Sequence, residues 1–195
     1  MEAGRWASLA GAALSALAVA AGAAATRDPK AMVLRLSDVP AGLTVSSQRY
    51  KSVTGAAASG PFTVAQYKAW GYLNGYEVDY ELGGSSAKVV TEPILITSAG
   101  SVYKTPAGAA ASFAAHRAQC SKIGGHSFST DGRIGDASFG CVARTTESGV
   151  PVVEYVVAWR RGPVNAVIEL GGLRTGASAA KTLRLARLVD SRIRG

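Results

Sequence analysis

The stretch from Val150 to Gly172, VPVVEYVVAWRRGPVNAVIELGG, decides the fold of this chain. It holds two runs rich in valine and other strand-forming residues, one on each side of Gly162-Pro163, a dipeptide typical of turns. Two such runs around a short turn predict a β-hairpin. Tyr155 and Trp159 fall on the same face of the first strand, and we expect that face to be part of the core.

Further strands are predicted on both sides of this hairpin. The segment YEVDYEL, residues 76–82, alternates apolar side chains with Glu77, Asp79 and Glu81, which indicates a half-exposed strand. Its acidic side chains are what any solvent-facing strand would carry. Three more strands are predicted at LTVSSQRY (43–50), PILITSAGSVYKT (93–105) and SFGCVARTT (138–146).

Helices are predicted where capping residues precede alanine-rich or amphipathic runs. Thr63 and Thr105 are candidate N-caps, the second followed by Pro106 and a helix to about Lys122. The C-terminal SAAKTLRLARLVDSRIR is amphipathic, whereas KSVTGAAASGPF (51–62) is expected to be a surface loop. Together these elements predict an α+β fold: an antiparallel sheet of about five strands with helices packed on one face.

The first 25 residues have the composition of a secretory signal peptide. An uncharged run from Trp6 to Ala25 ends in small residues at Ala23-Ala24-Ala25, as a cleavage site requires. An N-terminal membrane anchor is the alternative. We therefore expect residues 26–195 to form a single secreted or cell-envelope domain without a transmembrane span.

The charge of the chain is +8 and stays +8 without the leader, because Glu2 and Arg5 leave together. A net positive charge of this size favours binding to anionic cell-wall polymers, while the scattered basic residues argue against a specific nucleic-acid site. Four basic side chains of the C-terminal helix form a candidate anion-binding surface, the alternative being an ordinary solvated face. These are Lys181, Arg184, Arg187 and Arg194.

Both cysteines of the chain, Cys120 and Cys141, are about twenty residues apart. In an exported protein a disulfide is the simplest interpretation, and it would contribute about 3 kcal/mol. A zinc site with His116 and His126 is the alternative, but the ligand spacing lacks the tight pairs of known zinc sites. Cys120 activated by His116 would be a third interpretation.

No catalytic motif is complete in this sequence. Ser138 lacks the first glycine of a nucleophile elbow, and the glycine spacing from Gly171 to Gly176 lacks the lysine of a phosphate loop. No cofactor and no metal is therefore predicted. Four residues are candidates for a ligand cleft, the alternative for the aromatic ones being core packing. They are Trp70, Tyr72, Tyr76 and His126.

Several motifs carry a resemblance. LRLSDVPAGLTV, SVYKTPAGAAASFAAH and RIGDASFG resemble segments of uncharacterised exported α+β proteins from actinobacteria and related bacteria. The chain is also loosely similar to the extracellular sensor domains of actinobacterial Ser/Thr kinases. The resemblance implies no catalytic residues.

Three functions follow from these observations. The first is a secreted or cell-envelope, non-catalytic binding or sensor-like module for an unknown ligand or envelope partner. The second is a small exported hydrolase that uses the acidic strand or the His116 region. The third is a surface module that binds an anionic polymer through the C-terminal helix.

Overall fold

The computed structural model describes residues 28–83, 91–132, 134–147 and 149–194. The strands are β1 (Leu43–Lys51), β2 (Tyr72–Leu82), β3 (Leu95–Tyr103), β4 (His126–Phe128), β5 (Ala137–Glu147), β6 (Val150–Arg161) and β7 (Val164–Gly172). The helices are α1 (Val53–Ser59), α2 (Val64–Ala69), α3 (Pro106–Lys122) and α4 (Ala179–Arg194). The expected leader, residues 1–25, lies outside the described residues.

The strands form one antiparallel sheet in the order β1-β2-β3-β7-β6-β5-β4. The predicted α+β class, the antiparallel sheet and the β6–β7 hairpin around Gly162 are therefore confirmed. The sheet has seven strands where about five were expected. One of them, β4, has three residues and is too short to leave an alternating pattern in the sequence.

Helices cover both faces of the sheet, not one face as the sequence predicted. Helix α4 lies on β6 and β7 on one side, and α3 lies on β3, β5, β6 and β7 on the other. The prediction of a surface loop at residues 51–62 was also wrong, because helix α1 forms there. The Oγ atom of Ser52 caps this helix by accepting a hydrogen bond from the Gly55 amide at 3.2 Å, and Ala56 is buried.

The face of the sheet under α4, which we call the core face, carries the largest buried side chains. Trp159, Ile168 and Leu170 are fully enclosed there. Two 3-10 turns, Pro29–Met32 and Leu36–Asp38, cover the β1–β3 part of this face. This half of the molecule is densely packed, as its alternating apolar residues require.

One carboxylate is buried within the core face. Asp190 of α4 has no solvent exposure, and Arg161 of β6 donates to both of its oxygens at 2.9 Å. Arg194 donates two further hydrogen bonds to Oδ2. Burial alone would favour the neutral acid, but the hydrogen bonds and charge of Arg161 outweigh it and lower the pKa of Asp190.

Helix α3 is attached to the opposite face at both of its ends. It begins as predicted, with Thr105 as N-cap, and near its start the Ala109 carbonyl accepts a hydrogen bond from Asn165 Nδ2 at 3.0 Å. Near its end the predicted disulfide joins Cys120 to Cys141 of β5. The disulfide removes both thiolates from the zinc and nucleophile alternatives.

Candidate functional site

A cavity of about 330 Å³ lies between the sheet and the middle of α3. We call the sheet face that forms its floor the cavity face. Helix α1 and the turn after it, with Ala56, Ser59 and Gly60, close one side, and Phe113, His116 and Gln119 of α3 close the other. The size is that of a small-molecule site.

The cavity exists because the cavity face carries small side chains at its centre. Ala99 of β3, Val167 of β7 and Ala158 of β6 are register neighbours across three strands, and all three line the floor. Their neighbours in sequence on the core face include Trp159 and Ile168. With α3 fixed at both ends, these small residues leave a space that the helix does not fill.

Aromatic side chains form the walls. Tyr72 and Tyr103 lie edge to face at 5.6 Å between ring centroids, and Phe113 lies 5.4 Å from Phe139 across the α3–sheet boundary. Burial raises the pKa of Tyr103 to about 12, so its hydroxyl stays protonated and pairs with Ser112 Oγ at 2.7 Å. The walls are therefore apolar and uncharged.

Glu77 and Lys51 are the charged residues on the β1–β2 side of the cavity. Lys51 and Arg49 both donate to the Glu77 carboxylate, one to each oxygen. Register explains the cluster, because β1 pairs with β2 so that Arg49 lies opposite Glu77 and Lys51 opposite Gly75. Each carboxylate oxygen of Glu77 is thus paired with one cation.

Glu169 of β7 also lines the cavity, and unlike Glu77 it is not paired with a cation among the described residues. It lies opposite Thr97 of β3, and Thr97 in turn lies opposite Asp79 of β2, which accepts hydrogen bonds from the hydroxyls of Ser47 and Thr97. No hydrogen bond or ion pair joins the Glu169 carboxylate to any other residue that the structure describes. Burial, and then the negative charges of Glu154, Glu77 and Asp79, raise its pKa to about 7.

His116 faces the cavity from the middle of α3. Its Nδ1 lies 2.8 Å from the Ser112 carbonyl oxygen, which can only accept, so Nδ1 carries the proton. Burial lowers the pKa of His116, and Nε2 of the neutral ring is an acceptor that no donor reaches in the described part of the chain. Its ring packs against Phe62 at 4.7 Å, which fixes its orientation.

The four residues proposed from the sequence for a ligand cleft are dispersed. Tyr72 lines the cavity, and Tyr76 borders it while its side chain packs in the core of the other face. Trp70 is half-buried behind the wall, against Phe62 and Tyr67. His126 is exposed on the edge strand β4 and is not part of the lining.

The basic residues of α4 are mostly paired. Lys181 donates to the carbonyls of Thr91 and Gly176, and Arg194 binds Asp190. Arg187 lies 3.5 Å from Asp131, both being exposed. Arg184 is exposed, and no ion pair holds it among the described residues.

Glu169, Asn165 and Phe139 were not recognised from the sequence as residues of a site. The strand VNAVIELGG places Asn165, Val167 and Glu169 on one face by alternation, which is the signal that could have found them. The pattern indicates a face that is not packed core.

Two negative findings apply to the described part of the chain. No group of three or more histidine, cysteine, aspartate or glutamate side chains is placed to hold a metal ion there. Across those same residues, no helix has the length and apolar character needed to cross a bilayer.

Comparison with known proteins identifies a fold likeness. No family model matches the chain, and no curated protein matches it. A crystal structure of the extracellular domain of PknH from Mycobacterium tuberculosis has a similar fold, with a TM-score of 0.53 at 10% identity. The match covers 85% of this chain and 94% of that domain. The likeness concerns the fold, and it agrees with the resemblance to extracellular domains that the sequence motifs indicated.

Proposed function

We propose that this protein is a non-catalytic, sensor-like module outside the cytoplasmic membrane that binds a small ligand in the cavity. The observation that carries the proposal is the cavity itself, about 330 Å³ with aromatic walls and an unpaired carboxylate on its floor. A concave apolar site with a few polar groups is the usual form of a ligand site.

The extracytoplasmic location is supported by two observations. The Cys120–Cys141 disulfide is the kind of bond that persists in oxidising compartments. The fold is similar to that of a domain described as extracellular. A secretory signal at residues 1–25 would account for export.

Ligand binding can be tested with N-phenyl-1-naphthylamine, a neutral fluorophore that brightens in apolar sites. We expect the full chain to bind it saturably with 1:1 stoichiometry, because its naphthyl and phenyl groups match the size and apolar walls of the cavity. Ala99→Phe should abolish the signal, since Ala99 lies on the floor and a phenyl ring there would fill the space.

The matched control is Ala111→Phe, which adds the same group on the exposed side of α3. It should bind the fluorophore like the wild type. Circular dichroism and thermal melting would confirm that both variants fold. Binding by the Ala99→Phe variant equal to that of the wild type, or no saturable binding by the wild type, would contradict the proposal.

A small exported hydrolase is the second candidate, and one observation favours it: Glu77, Glu169 and His116 line the same cavity. It ranks lower because Glu77 is bound by two cations and the proton-bearing nitrogen of His116 is bound by its own helix. Neither group is thus oriented by the other for acid–base work. Turnover of p-nitrophenyl esters that is lost in His116→Ala, with fluorophore binding retained, would favour the hydrolase.

A further inference from the structure

Three polar groups of the cavity are hydrogen-bond acceptors without a partner among the described residues; the buried Nε1 of Trp159, a donor that belongs to the core face, is also unpartnered among them. No described donor reaches the Glu169 carboxylate, and none reaches Nε2 of the neutral His116 ring. Asn165 adds a third, because its Oδ1 is buried without a partner while its Nδ2 is bound to the Ala109 carbonyl. The main cationic donor in the lining, Lys51, is paired with Glu77. A ligand that complements this set must supply donors.

The charge of the cavity is opposite to that of the molecule. The chain carries +8, yet the charged residues among the described lining are three glutamates and one lysine. They are Lys51, Glu77, Glu154 and Glu169. Lys51 and Arg49 are engaged by Glu77 and leave that cluster with one positive charge, whereas no described cation pairs with Glu169 on the floor or with Glu154. A basic protein with an acidic cavity attracts cations to that cavity specifically.

The walls favour the same ligand class. Tyr72, Tyr103, Phe113 and Phe139 present aromatic surface. Aromatic faces bind both apolar groups and organic cations, and an unpaired carboxylate in a desolvated site makes charge-assisted hydrogen bonds.

We propose that the cavity selects an organic amine: an ammonium group held by Glu169, carried on a ring or short apolar body that lies against the aromatic walls. The inference rests on the proposed function and names its ligand class. The ammonium donates to the carboxylate on the floor and supplies a donor that His116 Nε2 lacks. A carboxylate or phosphate ligand would instead face the like charges of Glu169 and Glu154.

The selection depends on pH through Glu169. The charged and titratable groups around it are Arg49 and Lys51 of β1, Glu77 and Asp79 of β2, Glu154 of β6 and His116 of α3. The acidic neighbours and burial keep Glu169 partly protonated near neutrality, with a pKa of about 7. Amine binding therefore strengthens from pH 5 to pH 8, while the ammonium itself stays charged over this range.

The test uses probes of one shape and different charge. 1-Naphthylmethylamine and 1-naphthalenemethanol differ only in the ammonium and hydroxyl groups, and 1-naphthoate carries the opposite charge. Their affinities are measured by displacement of N-phenyl-1-naphthylamine and by calorimetry on the full chain. At pH 8 the amine should bind about 10-fold to 100-fold more tightly than the alcohol, the usual size of a hydrogen bond to a charged group. At pH 5 the two should agree within about threefold, since Glu169 is then protonated.

Glu169→Gln should lower the affinity for the amine to about that for the alcohol at pH 8, because it removes the carboxylate to which the ammonium donates. Glu154→Gln is the matched control, because it removes the same charge from the exposed glutamate of the lining. It should keep most of the preference. Equal amine and alcohol affinities in the wild type, tighter binding of 1-naphthoate, or equal loss in both variants would overturn the inference. Absence of fluorophore binding in the wild type would overturn the proposed function instead.

Discussion

The two faces of the sheet are built from alternate residues of the same strands, yet one is a packed core and the other encloses a cavity. On the core face Trp159, Ile168 and Leu170 fill the space under α4. On the cavity face Ala158 and Val167 leave about 330 Å³ open under α3. The difference is in side-chain volume, and it shows how one period-two pattern produces both a core and a binding site.

The two faces also differ in their carboxylates: Asp190 on the core face is fully buried, and Glu169 on the cavity face is half-buried. Asp190 accepts hydrogen bonds from two arginines, and its pKa is lowered. Glu169 has no partner among the described residues, and its pKa is raised to about 7. A buried charge that stabilises a fold is paired, whereas one without a partner is available to a ligand. Four predictions test this contrast.

The largest effect is expected for Asp190→Asn on the core face. The variant keeps the shape but removes the anion that Arg161 needs, so we expect a loss of about 3 kcal/mol in the free energy of unfolding, measured with urea. Because the pKa of Asp190 is lowered in the fold, this stabilisation is present above the ordinary aspartate pKa and is lost as the pH falls below it.

The control is Asp131→Asn, which removes a charge from an exposed pair with Arg187. It should change the free energy of unfolding by less than about 0.5 kcal/mol. If Asp190→Asn were equally harmless at pH 7, the arginine pairing would not be what stabilises the core face.

The second effect concerns the Cys120–Cys141 disulfide on the cavity face. Cys120→Ala with Cys141→Ala should cost about 3 kcal/mol, because the bond closes a loop with a sequence separation of 21. It should also weaken N-phenyl-1-naphthylamine binding at temperatures where the variant is folded, since the end of α3 is released. Chemical denaturation and fluorescence titration measure the two effects. Unchanged stability and affinity would mean that other contacts hold α3 in place.

The third substitution should raise the free energy of unfolding, whereas the first two lower it. A glutamate whose pKa is raised in the fold stabilises it below the ordinary glutamate pKa, and this contribution is lost as the pH rises through about 7. Glu169→Gln should therefore match the wild type at pH 4 and exceed it by about 1 to 2 kcal/mol at pH 8. Thermal melts at both pH values measure this, and a variant less stable than the wild type at pH 8 would show that ionised Glu169 has a partner.

The smallest effect is expected on the surface of α4. Arg187→Ala breaks an exposed pair with Asp131 and should cost less than about 0.5 kcal/mol. Removing Arg184 as well tests the anionic-polymer hypothesis from the sequence, because retention on a polyglutamate column should then fall. Retention that is unchanged, or insensitive to salt, would argue against that surface.

Local signals in the sequence predicted much of this fold. The Gly162-Pro163 turn marked the β6–β7 hairpin, and Thr105-Pro106 marked the start of α3. The disulfide followed from cysteine count and context. The hairpin and the helix start depend on residues that are close in the chain, and the disulfide depends on a chain with two cysteines allowing a single pairing.

The site could not be predicted in the same way, because it depends on register between distant strands. Glu77 and Glu169 belong to β2 and β7, which meet only through β3. The acidic alternation around Glu77 is visible in the sequence, whereas Glu169 belongs to a strand whose sequence predicts half of an apolar hairpin. Nor does the alanine content of α3 indicate that Asn165 of β7 fixes its start, which together with the predicted disulfide holds the cavity open.

The proposal that Glu169 is available to a ligand can be tested by carbon-13 NMR titration of its side-chain carboxyl in the full chain. We expect a pKa of about 7, which falls when saturating 1-naphthylmethylamine is added, beside an Asp190 carboxyl that titrates below the ordinary aspartate value. A Glu169 pKa near 4.5 that the amine leaves unchanged would contradict it.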